Sequence, residues 1–156
     1  METKTSVTVV IAHHQKASRA TCLRVLQTEE GIQVVGVVRS GLKAIAAVSK
    51  IKPNILLFDL DLTEGNEAPL LHALRRKSPR TRIILLTRRA SESQIMAALA
   101  RGTLGYIEED VITRFLPKAV REVNSGDTWV SRKIVARIVE AIDNLSSPTK
   151  WAWHAQ

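Results

Sequence analysis

Short apolar runs along the chain alternate with longer segments in which apolar residues recur at helical spacing. The short runs are rich in β-branched residues, whereas a segment such as 16–27 places Ala20, Leu23 and Leu26 three residues apart. This alternation is typical of a parallel sheet whose strands are joined by crossover helices. The runs predict five strands, at residues 7–12, 34–38, 55–58, 83–86 and 104–107.

A helix is predicted after each strand, and a final amphipathic helix begins near Ser131 and continues to about 142. The start of the fifth helix, near 115–123, is uncertain because Pro117 is tolerated only close to a first turn. The third strand, 55–58, is apolar at every position. It is therefore predicted to lie at the centre of the sheet, covered by helices on both faces. The other four helices are predicted at about 16–27, 41–51, 68–77 and 91–101.

A length of 156 residues suits one compact domain with a short appendage. The predicted divisions are a domain at 1–127, a C-terminal helix leading toward a linker at 128–144, and a linker or disordered tail at 145–156. The last segment contains Trp151 and Trp153, which would either anchor a partner or belong to a frayed terminus.

Composition limits the location and the partners that we expect for the protein. No apolar run is long enough to cross a bilayer and no secretory signal pattern is seen, so we expect no membrane contact and a cytoplasmic location. The net charge of +8 admits a nucleic-acid partner, but the basic residues are scattered without interleaved aromatics, which favours a solvated or partner-facing surface. The single cysteine, Cys22, lies in an apolar helical pattern and is predicted to be buried.

Polar residues follow several of the predicted strands. In a doubly wound sheet, function lies at the carboxyl ends of the strands, beside the point where the strand order reverses. The residues at those ends are His13 and His14 after the first strand, Asp59 after the third, Thr87 after the fourth, and Tyr106 and Glu109 around the fifth. They are the candidate functional residues.

Four segments, taken in order, resemble receiver domains of two-component response regulators, most closely the NarL/FixJ (LuxR-type) subfamily. They are Gly-Ile-Gln-Val-Val-Gly at 31–36, Ile-Leu-Leu-Phe-Asp-Leu at 55–60, Ile-Ile-Leu-Leu-Thr at 83–87 and Gly-Thr-Leu-Gly-Tyr-Ile at 102–107. The resemblance spans residues 7–142. It implies an α/β, flavodoxin-like doubly wound sheet of five parallel strands in the order 2-1-3-4-5, with helices on both faces and an extra C-terminal helix.

The resemblance also implies a chemistry for the site. In that family an acidic pair after the first strand and the phosphoacceptor aspartate hold Mg²⁺, and a lysine after the fifth strand pairs with the phosphoryl group. A hydroxyl and an aromatic residue then relay the change to the outer surface. Asp59 matches the phosphoacceptor, and Thr87 and Tyr106 match the two switch residues.

The chain departs from this pattern at the charged positions. His13 and His14 stand where the acidic pair is expected, and Glu109 stands where the lysine is expected. Imidazole is a poor ligand for Mg²⁺, so we expect Mg²⁺ binding to be weak or absent and no other cofactor. We predict an atypical, phosphorylation-independent receiver that is not an enzyme. A conventional phosphoacceptor at Asp59 is the alternative.

Three further hypotheses concern the same residues. A protonated His13 or His14 beside Asp59 would replace the charge of the metal. Alternatively, both imidazoles and Asp59 would bind a transition metal, although neighbouring strand residues are expected to point to opposite faces. Asp59 and Asp61 also resemble the Asp-x-Asp-x-Thr motif of haloacid-dehalogenase-type phosphatases, but that motif normally follows a first strand.

The expected role is a signalling and dimerisation module in transcription control. We expect a homodimer formed through the outer helices, with a sensor kinase or another regulatory protein as a possible partner. DNA would be reached only through a helix-turn-helix domain that this sequence does not contain. The residues leave open whether the chain is a piece of a longer transcription factor or a stand-alone receiver.

Overall fold

The structure is a computed structural model that describes residues 6–146. Its centre is a parallel sheet of five strands in the order β2-β1-β3-β4-β5. The strands are β1 (Val7–Ala12), β2 (Ile32–Val38), β3 (Ile55–Asp59), β4 (Arg82–Thr87) and β5 (Gly105–Glu108). The predicted fold class and strand order are confirmed.

Helices connect the strands and cover both faces of the sheet. They are α1 (Lys16–Gln27), α2 (Gly41–Ile51), α3 (Glu67–Lys77), α4 (Glu92–Ala100), α5 (Ile112–Asn124) and α6 (Arg132–Ser146). Two short 3₁₀ helices, Leu60–Thr63 and Glu109–Val111, follow β3 and β5 directly. Both therefore lie at the carboxyl edge of the sheet.

Strand β3 is central because all five of its residues are buried and both of its neighbours are parallel. Its register brings Phe58 level with Ala12, the last residue of β1. On the other side of β3, Thr87 at the end of β4 is level with Glu108 at the end of β5. The residues that follow β1, β3 and β5 therefore meet at one edge.

The alternation of side chains along the strands divides the core into two layers. On one face, Ile11 and Leu57 pack with Leu26 of α1 and with Leu116 and Val120 of α5. The opposite layer packs strand residues such as Val10 and Phe58 against α2, α3 and α4. Most of the apolar surface that stabilises the domain is buried in these two layers.

Helix α5 begins earlier than the sequence predicts, at Ile112 rather than near 115, so that Pro117 is inside the helix and not in its first turn. Proline there removes one helical hydrogen bond. The helix tolerates this loss because Ile112, Leu116 and three residues after them form a continuous buried stripe. The first turn of α5 also follows the 3₁₀ helix Glu109–Val111 without interruption.

The segment before α6 is bonded to the edge of the sheet. The Tyr106 amide donates to the Trp129 carbonyl at 3.0 Å, and the Trp129 amide donates to the Leu104 carbonyl at 3.0 Å. Gly105 permits this approach, since a Cβ atom on it would lie 3.0 Å from the Trp129 Cβ. The Trp129 ring also packs on Phe115, with 6.0 Å between ring centroids. The predicted division after residue 127 thus falls beside a segment that pairs with β5.

Helix α6 continues to Ser146, past the predicted helix end near 142 and into the segment from 145 that was predicted as a linker or tail. The rest of the predicted linker, including Trp151 and Trp153, lies outside the described residues. Among the helices of residues 6–146, none combines the length and the apolar character that a bilayer crossing requires.

Candidate functional site

Asp59 is the last residue of β3 and is almost completely buried. Its Oδ1 atom accepts a hydrogen bond from the Asp61 amide at 3.0 Å, which caps the 3₁₀ helix that follows. Its Oδ2 atom is contacted by Nδ1 of His14 and also faces the His14 amide nitrogen at 3.3 Å. Both carboxylate oxygens are therefore engaged within the protein.

His13 and His14 both face Asp59. Strand β1 ends at Ala12, so the two histidines lie in the loop beyond the pleated strand. Their rings stack nearly parallel, with centroids 5.2 Å apart, and Nδ1 of His13 lies 3.4 Å from Asp59 Oδ2. The expectation that the two side chains point to opposite faces was wrong, because strand alternation does not extend into the loop.

The hydrogen bonds of His13 identify the tautomer of its buried ring. The Gln15 amide donates to Nδ1 at 3.0 Å, so this nitrogen accepts. The proton is therefore assigned to Nε2, which donates to the Glu109 carboxylate. A neutral imidazole satisfies both contacts. The ring of His14 is the more accessible of the two, because its side chain is 42% exposed.

Glu109 follows β5 and is held between His13 and Arg88. The Arg88 Nε atom donates to Glu109 Oε2 at 2.6 Å, and Nη2 of the same guanidinium donates to the Gln15 side chain. Partial burial raises the pKa of Glu109, but the hydrogen bonds from Arg88 and His13 lower it, and the net pKa lies below the usual value. Glu109 is therefore an ionised carboxylate at neutral pH.

Sequence reasoning missed the role of Arg88. The sequence feature that indicates this role is the position of Arg88, one residue beyond Thr87 at the carboxyl end of a buried strand. A basic residue there is close to both neighbouring loops, so it can balance an acidic residue that follows β5. Arg88 thus supplies a cation near the lysine position, but Glu109 already binds it.

The two switch-like residues have different surroundings. Thr87 is buried, and its hydroxyl has no hydrogen-bond partner among residues 6–146. Tyr106 is half-buried, and its hydroxyl donates to Oγ of Ser131 at 3.0 Å. Ser131 Oγ in turn accepts from the Ile134 amide at 3.2 Å, in the first turn of α6. Tyr106 therefore contacts the start of the C-terminal helix.

The donors around Asp59 do not fit Mg²⁺. This ion requires near-octahedral oxygen ligands, whereas the acidic-pair positions present imidazole nitrogens. The carboxylate of Glu109 is bonded to His13 and Arg88. Within the part of the chain that the structure describes, these residues do not build the oxygen-rich site that the resemblance implies.

A cleft of about 500 Å³ adjoins the site, between the loop after β3 and the loop after β4. Its lining is polar and of mixed charge, and it includes Asp61, Glu64, Thr87, Arg88 and Arg89. Asp61 projects into solvent. The cleft gives solvent access to the neighbourhood of Thr87.

The model of the response regulator receiver domain family matches residues 9–121, which is most of the chain. The chain belongs to this family. The receiver resemblance is thereby confirmed, and the haloacid-dehalogenase alternative at Asp59 and Asp61 is not favoured. Receiver domains of response regulators are signalling modules.

Curated relatives of this receiver domain include the transcriptional regulatory protein YhcZ of Bacillus subtilis (strain 168), which is 28% identical over 142 residues. The oxygen regulatory protein NreC of Staphylococcus aureus (strain JH9) is 29% identical over 143 residues. The alignments cover 91% and 90% of this chain, respectively, but only 66% of each relative. The chain thus spans about two thirds of the length of these relatives.

Solved structures show the same fold. The isolated receiver domain of RcsB from Salmonella enterica serovar Typhimurium, in the apo form, superposes with a TM-score of 0.77 at 24% identity, covering 86% of this chain and 99% of that one. A two-component response regulator of the LuxR family from Aurantimonas sp. SI85-9A1 also gives a TM-score of 0.77, at 19% identity, covering 88% and 98%. Both comparisons support the flavodoxin-like architecture of this receiver domain.

Proposed function

We propose that this receiver domain signals without phosphorylation of Asp59, as a regulatory and dimerisation module in transcription control. The observation that carries the proposal is the pairing of charges at the site. Asp59 is bonded to His14, and Glu109 lies at the position where the family lysine would meet a phosphoryl group.

Phosphorylation would replace the single negative charge of the Asp59 carboxylate with a phosphoryl group that carries nearly two. In the family mechanism a divalent ion and a lysine neutralise that charge. Here Asp59 is flanked by His13, whose Nε2–H is bonded to the Glu109 carboxylate, and by His14, which already contacts the acceptor oxygen. Transfer would therefore break the His14 contact without the usual electrostatic gain.

Incubation of the purified chain with a small phosphodonor and Mg²⁺, followed by intact-mass measurement, tests the proposal. We expect no stoichiometric adduct and no change of size on gel filtration. Asp59→Ala is the matched control, because it removes the acceptor and reports reaction at other residues. An adduct on the unchanged chain that is absent from Asp59→Ala would refute the proposal.

The proposed dimer would form through α6. Val135, Ile138, Ile142 and Leu145 follow one another at spacings of three, four and three residues, as in a two-stranded coiled coil. Val135 is 45% exposed and Leu145 is 87% exposed. Exposed apolar residues at this spacing favour a second copy of the same helix as the occupant of the stripe.

Analytical ultracentrifugation tests this interface. We expect the chain to sediment as a dimer at micromolar concentration and the double variant Val135→Glu/Leu145→Glu to be monomeric. The control is Ala136→Glu, which places charge at an exposed position of α6 outside the stripe. A monomeric parent chain, or an equal effect of both variants, would exclude α6 as the dimer contact.

The proposed signal input and DNA contact involve groups outside the described residues. We propose that a sensor kinase or another regulatory protein, or a ligand, delivers the signal, and that DNA is reached through a helix-turn-helix domain. The elements of residues 6–146 do not supply such a domain. Divisions at 1–127, 128–144 and 145–156 remain predictions, as do the switch roles of Thr87 and Tyr106.

A further inference from the structure

We propose that His13, His14 and Asp59 form a binding site for a divalent transition-metal ion of the zinc class. Each residue offers one ligand atom, and these three atoms lie within 4.8 Å of one another. One carboxylate oxygen and two imidazole nitrogens make a donor set that suits zinc and similar ions better than magnesium.

One of the three donor spacings matches that of a tetrahedral site. Ligand atoms about 2.1 Å from a tetrahedral zinc ion lie about 3.4 Å from one another. The distance from His13 Nδ1 to Asp59 Oδ2 is 3.4 Å. Only the contact between His14 and Asp59 is a direct hydrogen bond, so His14 would move outward to admit the ion. Three protein ligands leave a fourth position for water or a small ligand.

Glu109 and Arg88 supply the outer support that histidine ligands usually have. A metal-binding histidine commonly donates its second ring N–H to a carboxylate, which fixes the tautomer and strengthens the ligand nitrogen. His13 does so through Nε2, with Glu109 as the acceptor. Arg88 holds the other oxygen of that carboxylate at 2.6 Å. The Nδ1 atom of His13 is therefore the unprotonated nitrogen, and an ion would replace its contact with the Gln15 amide.

Solvent reaches the site from the side of His14. The side chain of His14 is 42% exposed, whereas those of His13 and Asp59 are 1% and 5% exposed. The two buried ligands are fixed by the fold, and the exposed one can rotate to admit an ion. Binding would then fasten the loop after β1 to the end of β3.

The inference rests on the proposed function in one respect, because it assigns a ligand to a site that phosphate does not use. Occupancy by an ion would give the domain an input other than a kinase. Failure of the proposed function can be distinguished from failure of the zinc site, because the phosphate adduct and metal binding are measured in different experiments.

Metal binding is tested with the full chain after treatment with a chelator. We expect one equivalent of Zn²⁺ to bind in competition with a chromophoric chelator, and Co²⁺ to give the intense visible absorption of a tetrahedral site. Millimolar Mg²⁺ should not displace either ion.

His14→Ala and Asp59→Asn should each weaken zinc binding at least tenfold, and Glu109→Gln should weaken it about 10-fold to 100-fold. Circular dichroism confirms that each variant is folded, and His14→Ala changes an exposed side chain.

The chain contains two other histidines, His72 and His154, which provide a matched control. The double variant His72→Ala/His154→Ala should bind Zn²⁺ as the parent chain does. The proposal would be overturned if the parent chain bound no zinc. It would equally be overturned if His14→Ala and Asp59→Asn left the affinity unchanged, or if the double variant lost binding.

Discussion

The Arg88 Nε atom lies 2.6 Å from Glu109 Oε2 at the carboxyl edge of the sheet. This ion pair joins the loop after β4 to the 3₁₀ helix after β5, and the same carboxylate accepts a hydrogen bond from Nε2–H of His13. The Glu109 carboxylate is therefore balanced within the domain, at the position where the family resemblance implies a lysine. A phosphoryl group on Asp59 would find Arg88 already paired.

Replacement of Glu109 by glutamine should destabilise the domain at neutral pH by roughly 1 to 2 kcal/mol, because the neutral amide has one acceptor oxygen where the carboxylate accepts from both His13 and Arg88. The pKa of Glu109 is lowered in the folded state, so its contribution is fully present above the unfolded pKa of about 4.3. It is lost as the pH falls through the folded pKa. Urea unfolding of parent and variant should thus show a difference that shrinks as the pH is lowered below about 4.3.

Glu108→Gln is the matched control for that measurement, because Glu108 is the exposed neighbour of Glu109. It should leave the free energy of unfolding within about 0.5 kcal/mol of the parent at every pH. A Glu109→Gln difference that stays constant between neutral and acidic pH would show that the carboxylate charge does not stabilise the fold.

Much of this arrangement could be predicted from the sequence. The apolar runs located the strands, and the unbroken apolar character of 55–58 placed β3 at the centre, because a strand covered on both faces needs no polar side chains. Once the strand order is known, the ends of parallel strands share one edge. The proximity of His13, Asp59 and Glu109 follows from that geometry alone.

Other features depend on contacts that periodicity does not encode. The orientation of His14 toward Asp59 depends on where β1 ends, and alternation along a strand gives the wrong answer two residues beyond that end. The pairing of Trp129 with β5 involves a single residue, which is too short to produce a strand pattern. Pro117 inside α5 is tolerated because tertiary burial outweighs a local penalty.

The Tyr106–Ser131 hydrogen bond should hold the first turn of α6 against the sheet edge. Tyr106→Phe removes one hydrogen bond, and Ser131→Ala removes both that bond and the contact with the Ile134 amide. We expect faster amide hydrogen exchange at the start of α6 in both variants, with the larger effect in Ser131→Ala, which should cost roughly 0.5 to 2 kcal/mol.

Ser125→Ala serves as the comparison, because Ser125 bonds the Glu122 carbonyl at the end of α5 and does not contact Tyr106. Exchange at the start of α6 should be unchanged in this variant. Parent-like exchange in both Tyr106→Phe and Ser131→Ala would mean that α6 is held by its ion pairs from Lys133 and Arg137 to Glu92 instead.

Cys22 should be unreactive in the native domain. Its side chain is completely buried, and burial raises the pKa of the thiol to about 12. Relative to an ordinary thiol of pKa about 8.5, the thiolate at neutral pH is reduced roughly 10³-fold. Alkylation at pH 7 should therefore be at least that much slower in the native chain than in urea. Native labelling within tenfold of the unfolded rate would show that α1 opens readily.

The most direct test of the account restores the family charges at the site. Intact mass is measured for the parent chain and for His13→Asp/His14→Asp/Glu109→Lys after the same incubation with phosphodonor and Mg²⁺. The expected result is an adduct on the triple variant, abolished by adding Asp59→Ala, and none on the parent. A stoichiometric adduct at Asp59 of the parent chain, formed as fast as on the triple variant, would contradict the account.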